Sequence, residues 1–534
     1  MTERDPRDAA AVETELALRL GDVLREIPGA ALSPAEAAGL LVTGVHLDSR
    51  KVAAGDIFVA RSGARAHGEQ FIAEAVARGA RAVILARGSA ADTLGAARVE
   101  VPDVPLALAQ AASVVYGHPT FTLEVVGITG TNGKTTTAHL VQACIDRCGG
   151  RAGIVGTLGY RFGELDVPAS HTSPEADELA RVAAGMVERG ATHLVMEVSS
   201  IALAAKRADA TRFRIAVFTN LTQDHLDYHG TMEAYAAAKA RLFVDLGPGA
   251  AVINVDDPFG RKLVEMIAPG GLSRPAASTL ARYSTEVGAG PDTAEIAPVE
   301  LAHTASGIFL RARTPAGEVA IRSHLLGAHN ASNLLAALGV AYLLGFDVED
   351  AAAALSSPIQ VAGRLERCDT PGADDVIVLV DYAHTPDALA RVLASVRALT
   401  EGRVLCVFGC GGDRDPLKRP QMGEAVGRGA DVAVVTNDNP RSEDPRAIAD
   451  AILPGLAAGR ARVVVELDRA RAIERAVLEA EPGDLVLIAG KGHEPYQIIG
   501  GVTLPFDDRD EARRALAARR DRSMAARQSR GGAV

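Results

Sequence analysis

Three α/β domains are what this sequence predicts, and three observations lead there. Its 534 residues exceed what one hydrophobic core organises. An apolar strand, a glycine-spaced turn and a helix follow one another across Glu124–Thr137, the context in which a phosphate-binding loop forms. Beyond Ser356-Ser-Pro358, apolar segments at 376–380, 404–408, 432–436, 463–467 and 485–488 alternate with helical stretches, the rhythm of a parallel sheet without a dinucleotide fingerprint. The expected architecture is a small N-terminal α/β domain over 1–120, a central domain of P-loop ATPase type with a mainly parallel sheet over 121–358, and a C-terminal Rossmann-like domain over 359–534.

Composition narrows the class. An apolar share of 48% with 23% charged residues describes a folded chain. The net charge of −11 is the reverse of the basic footprint of a nucleic-acid binder, so no nucleic-acid partner is expected and a small anionic ligand needs a locally positive pocket. The start, Met1-Thr-Glu-Arg-Asp-Pro-Arg7, leads into no apolar signal core, and no run reaches the length of a membrane span. A cytoplasmic location away from membranes is expected. The cysteine pairs Cys144/Cys148 and Cys406/Cys410 lack C-x-x-C spacing, so buried thiols are expected rather than a zinc site.

In chain order, residues 1 to about 40 are rich in Ala, Glu and Arg and read as a variable leader with one short helix. Strands at Asp56–Ala60 and Arg81–Leu85 then alternate with a helix around Phe71–Arg78. Leu47-Asp-Ser-Arg50 and the loop Arg61–Gly68 carry polar groups that could hold a ligand, although ordinary turn chemistry explains them about as well.

Glu124-Val-Val-Gly-Ile-Thr-Gly-Thr-Asn-Gly-Lys-Thr-Thr-Thr137 reads as a phosphate cradle. Glycines 127, 130 and 133 let backbone N–H groups point inward, Lys134 brings a mobile charge, and the Thr135 hydroxyl can ligate Mg²⁺. The helix after it is supported by Leu140, Val141, Cys144, Ile145 and Cys148 on one face. A strict loop of this type has a first glycine at position 128, which is Ile here, and a plain Gly-rich turn is the competing reading. His193–Val198 and Arg214–Thr219 are buried-type strands. In a parallel sheet both end beside the cradle, which brings Glu197 toward Mg²⁺, with a helix cap as the alternative.

Thr219–Gly230 gathers Asp224, His225 and Asp227 in one loop, while Lys239 lies on an Ala-rich helix where a lysine is ordinarily solvated. Gly307–Arg313 and Glu318–Arg322 form a hairpin, and Gly327–Leu335 starts a helix whose polar end could face a nucleotide, a role compatible with capping by Asn330. In the last third, the strand-end loops Asp381–Pro386, Gly409–Asp415, Asn437–Arg441 and Gly490–Glu494 describe a site along one sheet edge. The Arg-rich stretch Arg513–Arg530 reads as a solvated last helix with a frayed tail.

Gly-Ile-Thr-Gly-Thr-Asn-Gly-Lys-Thr-Thr, Met-Glu-Val-Ser-Ser, Thr-Asn-Leu-Thr-Gln-Asp-His-Leu-Asp-Tyr-His-Gly, His-Asn-Ala-Ser-Asn, Gly-Arg-Leu-Glu, Asp-Tyr-Ala-His-Thr-Pro and Gly-Lys-Gly-His-Glu occur here in this order. Between about Leu47 and Asp508 the chain thereby resembles the Mur ligases. The resemblance implies domains for a UDP-sugar, ATP and an incoming amino acid, and a monomer. It implies that ATP, with Mg²⁺, phosphorylates the D-Glu γ-carboxylate of UDP-N-acetylmuramoyl-L-Ala-D-Glu, and that an amine displaces the phosphate, a step of peptidoglycan synthesis.

By the same resemblance Lys134, Glu197, His225 and Lys239 are catalytic, and Thr135, Glu197, His225 and Lys239, the last as a carbamate, face the metal. Gly130, Thr131, Asn132, Gly133, Lys134, Thr135, Thr136, Asn330 and Asn333 match ATP contacts, with Arg364 and Asp381 added across the domain interface. Leu47, Ser49, Ala64, Arg65, Ala66, Thr172, Ser173, Ser199 and Arg207 match contacts to the UDP-sugar dipeptide, whereas His171 and Ala205 replace an Asn and a Gln of some relatives. Asp438-Asn439-Pro440-Arg441 resembles the signature of members that take meso-2,6-diaminopimelate, with Arg414, Gly490 and Glu494 as further contacts. A lysine-adding member, a folylpolyglutamate synthetase-like relative and a nucleotide-gated binding protein without chemistry are the alternatives; taken alone, Asp-Asn-Pro-Arg is also simply a good turn.

Overall fold

The structure is a computed structural model that describes residues 17–63, 67–268, 279–304 and 306–531. Its α/β class and mainly parallel sheets agree with the sequence expectation. Near the N-terminus, Val45–His46, Ile57–Val59, Ala82–Ala86 and Ala97–Val101 run parallel, and Ala31–Ser33 adds an antiparallel edge. The segment read as leader is in part structural: the helix Leu20–Arg25 buries Leu20 and Val23, and Ile27 follows them into the same core. The one short helix expected in this segment is Leu20–Arg25.

The middle of the chain forms an eight-stranded sheet. Strand Glu124–Thr129 lies between His193–Glu197 and Phe213–Phe218, parallel to both. Registers pair Glu197 with Ile128 and Phe218 with Thr129, so three loops leave the sheet at one level. One face is covered by Lys134–Arg147, His329–Leu343 and Val348–Leu355, the other by helices that include Ala176–Glu188 and Met232–Val244. On the first of these helices Leu140, Val141, Cys144 and Ile145 are all buried, as their spacing requires. The expected hairpin is a three-stranded antiparallel sheet, because Ala297–Thr304 pairs with Gly307–Thr314, which in turn pairs with Gly317–Ser323. That extra strand exposes most of its second half and offers no clean alternation to read.

The last sheet orders Glu366–Arg367, Ile377–Asp381, Leu485–Ala489, Val404–Phe408, Val432–Val435 and Arg462–Val465, all parallel beyond the first pair. Every strand expected there from apolar runs is present. Leu485–Ala489 inserts between Ile377–Asp381 and Val404–Phe408, so the loops after Asp381, Phe408 and Ala489 open on one crevice. The last helix, Asp508–Gly531, is less solvated than expected: Ala512, Ala515 and Leu516 are buried, and Arg519 donates to Asp375 at 2.7 and 3.0 Å. Cys144, Cys406 and Cys410 are buried free thiols and Cys148 is half-buried. Among the described residues, no helix is long and apolar enough to cross a membrane.

Candidate active site

Gly130 and Gly133 take positive φ, 147° and 85°, which a side chain would resist, and Gly133 approaches Asn333 so closely that a Cβ there would lie 2.5 Å from its Oδ1. Lys134 opens the following helix and donates to the Gly130 and Thr131 carbonyls, both at 2.9 Å, so its ammonium lies over the cradle it helps to close. Burial lowers the Lys134 pKa, against the pull of Glu197 and Asp224.

Glu197 ends its strand as expected and does not act as a cap, a role taken by Ser199, whose Oγ accepts from Ala202 N. One carboxylate oxygen accepts from the Thr135 hydroxyl at 2.9 Å and from Thr157 Oγ1 at 3.2 Å, the other from Thr157 N at 2.8 Å. Arg364, from beyond the central domain, donates to Thr135 Oγ1 at 3.1 Å and lies over the Tyr382 ring at 4.8 Å. Asn330 is no cap either: the N-cap is Ala328, and the Asn330 side chain bonds Leu326 O and Asn333 Nδ2. It supports Asn333, which lines the cavity and accepts from Thr137 Oγ1. Asp381 is buried and accepts from Leu365 N and Ala383 N, both at 2.8 Å, which fixes the turn carrying Arg364 against the strand end.

Cradle, Glu197, Asn333, Arg364 and Asp381 line one cavity of about 460 Å³. Arg414, Asp438, Asn439, Arg441, Gly490 and Glu494 line a second of about 880 Å³. The two share a wall made of Asp224, His225, Tyr382, His384 and Thr385. His225 has a left-handed φ of 53° and its Nε2 lies 3.5 Å from Asp224 Oδ2. Lys239 is 1% exposed, with its nitrogen 4.4 Å from the Tyr235 ring centroid, and burial followed by Lys134 pushes its pKa well down.

In the second cavity Arg441 also has positive φ, 53°, and donates to Gly412 O at 2.7 Å. Glu494 Oε2 accepts from Asn439 Nδ2 at 2.9 Å and lies 3.4 Å from Lys491 Nζ, a lysine with no exposed surface. Pro440 belongs to the loop but not to the lining.

The third group of expected residues is spread along the seam between the first two sheets. Thr172 meets Thr157, and Ser173 Oγ donates to Glu197 O at 2.8 Å while accepting from Ser199 N. Arg207 donates to Ser173 O and pairs with Glu175, which also receives both nitrogens of the Arg61 fork. Leu47 N donates to Asp177 across the seam, whereas Ser49 Oγ donates to Glu74 within the N-terminal sheet's own layer of helices. Ala64, Arg65 and Ala66 lie outside the described residues. Sequence reasoning missed Thr157 and Glu175 as site-building groups, and took Tyr382 and His384 only as members of the site loop Asp381–Pro386 without singling them out.

Thr135 and Glu197 converge on one point with Lys134 alongside. Among the described residues there is no group of three or more His, Cys, Asp or Glu side chains that could hold a metal. The Thr135 hydroxyl and the Glu197 carboxylate, 2.9 Å apart, are oxygen donors of the kind Mg²⁺ takes beside a nucleotide, where phosphate oxygens and water complete its shell.

Three family models match: "Mur ligase family, catalytic domain" over 41–116, "Mur ligase middle domain" over 128–341 and "Mur ligase, glutamate ligase domain" over 363–492. The UDP-N-acetylmuramoyl-L-alanyl-D-glutamate–2,6-diaminopimelate ligase of Gloeobacter violaceus is 46% identical over 90% of this chain and 95% of its own. The enzyme of the same name from Synechococcus elongatus is 44% identical over 94% and 99%. A solved structure of a ligase with that name shares 35% identity and a TM-score of 0.67, covering 94% of this chain and 99% of its own. MurF ligase from Thermotoga maritima in complex with ADP shares the fold, with 20% identity, a TM-score of 0.61, and coverage of 90% and 99%. With consecutive family models following the three mainly parallel sheets and such identity along nearly its whole length, the chain belongs to the Mur ligase family.

Proposed function

We propose that this chain uses ATP to join meso-2,6-diaminopimelate to the D-Glu of UDP-N-acetylmuramoyl-L-Ala-D-Glu, releasing ADP and phosphate. One observation carries the reading: a phosphate cradle and a cavity bearing Arg414, Arg441 and Glu494 meet at a common wall. A carboxylate is a poor acyl donor, and activation as an acyl phosphate on one side of that wall leaves it open to an amine on the other. The names of the relatives support the substrates.

Catalysis here is positioning and charge neutralisation. The cradle N–H groups and Lys134 hold the transferring phosphoryl group. Thr135 and Glu197 would hold Mg²⁺, with His225 and Lys239 behind them, and the ion supplies charge to offset the developing oxyanions. Ser173, Ser199 and Arg207 orient the acceptor dipeptide, and Leu47, Ser49 and residues 64–66 its uridine end. Lys239 acts as a carbamate: burial favours its neutral amine, the form that adds CO₂, and the product is an anion beside Lys134. Lys239→Ala loses activity that small added carboxylates restore in part.

In the second cavity Arg441 and Arg414 meet carboxylates of diaminopimelate, and Glu494 meets its distal ammonium. Lysine lacks the distal carboxylate and leaves a desolvated guanidinium unmatched, at a cost of about 2–5 kcal/mol. The domain ranges 1–120, 121–358 and 359–534, a cytoplasmic location and a monomeric state belong to the same proposal. Phosphate release with the UDP-dipeptide and either diaminopimelate or lysine tests it. Release with diaminopimelate alone is expected; equal release with both rejects the role of Arg441, and release with neither favours a binding protein.

A further inference from the structure

The acyl phosphate reacts only with a neutral amine, yet amino acids arrive as ammonium ions at neutral pH. A base is needed where the two cavities meet, and the shared wall offers two imidazoles, His225 and His384. His225 pairs with Asp224 and is assigned above to the residues behind the metal. His384 lies in the loop that leaves the C-terminal sheet at Asp381. Its Nδ1 is 2.8 Å from the Tyr382 carbonyl. A carbonyl can only accept, so Nδ1 carries the hydrogen and Nε2 keeps its lone pair.

The loop is stiff. Asp381 is pinned by two backbone N–H groups, Thr385 caps the helix Pro386–Arg397, and Lys418 Nζ donates to the His384 carbonyl at 3.3 Å. The Tyr382 ring stands edge-on to the imidazole, 4.6 Å between centroids. Three charged groups act on His384: Lys418 from the helix Lys418–Gly429, Asp224 from the central-domain loop and Asp438 from the loop after the strand Val432–Val435. Burial and then Lys418 hold it below the ordinary histidine value, which favours the neutral imidazole whose Nε2 lone pair is open to a proton.

We propose that His384 Nε2 is the general base that takes a proton from the ammonium of the incoming amino acid. The N–H electron pair stays on nitrogen and attacks the acyl carbon, the C–O bond to phosphate breaks with its pair leaving on phosphate, and the extra amide proton is lost to the phosphate or water. This assignment rests on the proposed ligation, and a nucleophile that needs no base separates the two. Hydroxylamine is already neutral near pH 7 and converts the same acyl phosphate to a hydroxamate.

The experiment compares the full-length protein with His384→Gln and His384→Asn, using ATP, Mg²⁺ and the UDP-dipeptide with either diaminopimelate or hydroxylamine. General-base catalysis contributes about 10²–10⁴-fold. Amide formation near pH 7 is therefore expected to fall at least about 100-fold in kcat, with hydroxamate formation changed less than about threefold. Raising the pH toward about 9, where more amine is neutral, narrows the amide deficit. Equal loss of both products overturns the proposal, because His384 then serves the nucleotide side or the scaffold. No loss of amide, or a rise in KM for diaminopimelate with kcat and its pH profile unchanged, overturns it too. Wild-type protein that makes hydroxamate but no amide refutes the amino acid assigned above, and wild-type protein that makes neither refutes the ligation itself.

Discussion

The residues that decide chemistry here are held by neighbours that composition and periodicity do not announce. Glu494 was legible in the sequence through the Gly-Lys-Gly-His-Glu motif, which also carries its neighbour Lys491, but Asn439, which donates to the same carboxylate oxygen, meets it only because the fold brings two strand-end loops together. Arg441→Ala should raise KM for diaminopimelate by about 30-fold or more, in line with the cost of about 2–5 kcal/mol for an unmatched charge, while KM for ATP stays within about twofold. Competition kinetics with the two substrates varied separately check this. Half-buried imidazoles give a second residue-scale expectation. Burial pushes His329 and His493 from 6.5 down to about 4, and His329 also stands in the first turn of its helix, where a positive charge is disfavoured. Between about pH 6.5 and 4 the unfolded chain therefore binds more protons than the native one, so stability is fully present above that window and declines as pH falls through it. Thermal unfolding followed from pH 7 to 4 should show this slope, flatter in His329→Gln. A slope unchanged in that variant would put the acid sensitivity elsewhere.

At the scale of elements, much of the sheet content was readable, because parallel strands buried on both faces appear as short apolar runs: Val404–Phe408 and Leu485–Ala489 are buried at every position. What escaped was structure with mixed exposure. Tyr496–Ile499 and Val502–Pro505 form a hairpin whose second strand is exposed throughout, and Ala297–Thr304 is exposed over most of its second half. The cradle was legible because glycine spacing and Lys-Thr encode it locally, whereas the Arg61–Glu175–Arg207 cluster joins residues more than a hundred positions apart. Close helix packing was hidden for the same reason. Lys418–Gly429 lies against Pro445–Leu456, and a Cβ added at Gly455 would collide with the Pro420 carbonyl. Gly455→Val should destabilise the C-terminal domain by about 1–3 kcal/mol, since a backbone carbonyl cannot yield as a flexible side chain can. Denaturant unfolding measures it, and a loss below about 0.5 kcal/mol would mean that the helices slide apart freely.

At the scale of the whole molecule, the nucleotide cavity is complete only when two domains meet, and a small set of side chains crosses that boundary. Arg364 reaches the Thr135 hydroxyl, and Asp387, at the start of the helix Pro386–Arg397, accepts from Thr222 Oγ1 at 3.0 Å and Asn132 Nδ2 at 3.4 Å. Arg391 Nε holds the same carboxylate from the next turn at 2.9 Å, so Asp387 presents an already oriented acceptor to the cradle. A hydrogen bond to a charged acceptor is worth about 1.5–3 kcal/mol, reduced here because the carboxylate is partly open to water. Asp387→Ala should therefore lower kcat/KM for ATP by about 5–30-fold, through a less populated closed state, and leave the unfolding midpoint nearly unchanged because the carboxylate supports neither core. Asp387→Asn keeps a carbonyl acceptor for Thr222 and should recover part of the loss. Steady-state kinetics with ATP varied, beside thermal unfolding of the same proteins, distinguish this from a folding defect. A parallel fall in stability, or an alanine variant as active as wild type, would show that closure does not depend on this contact.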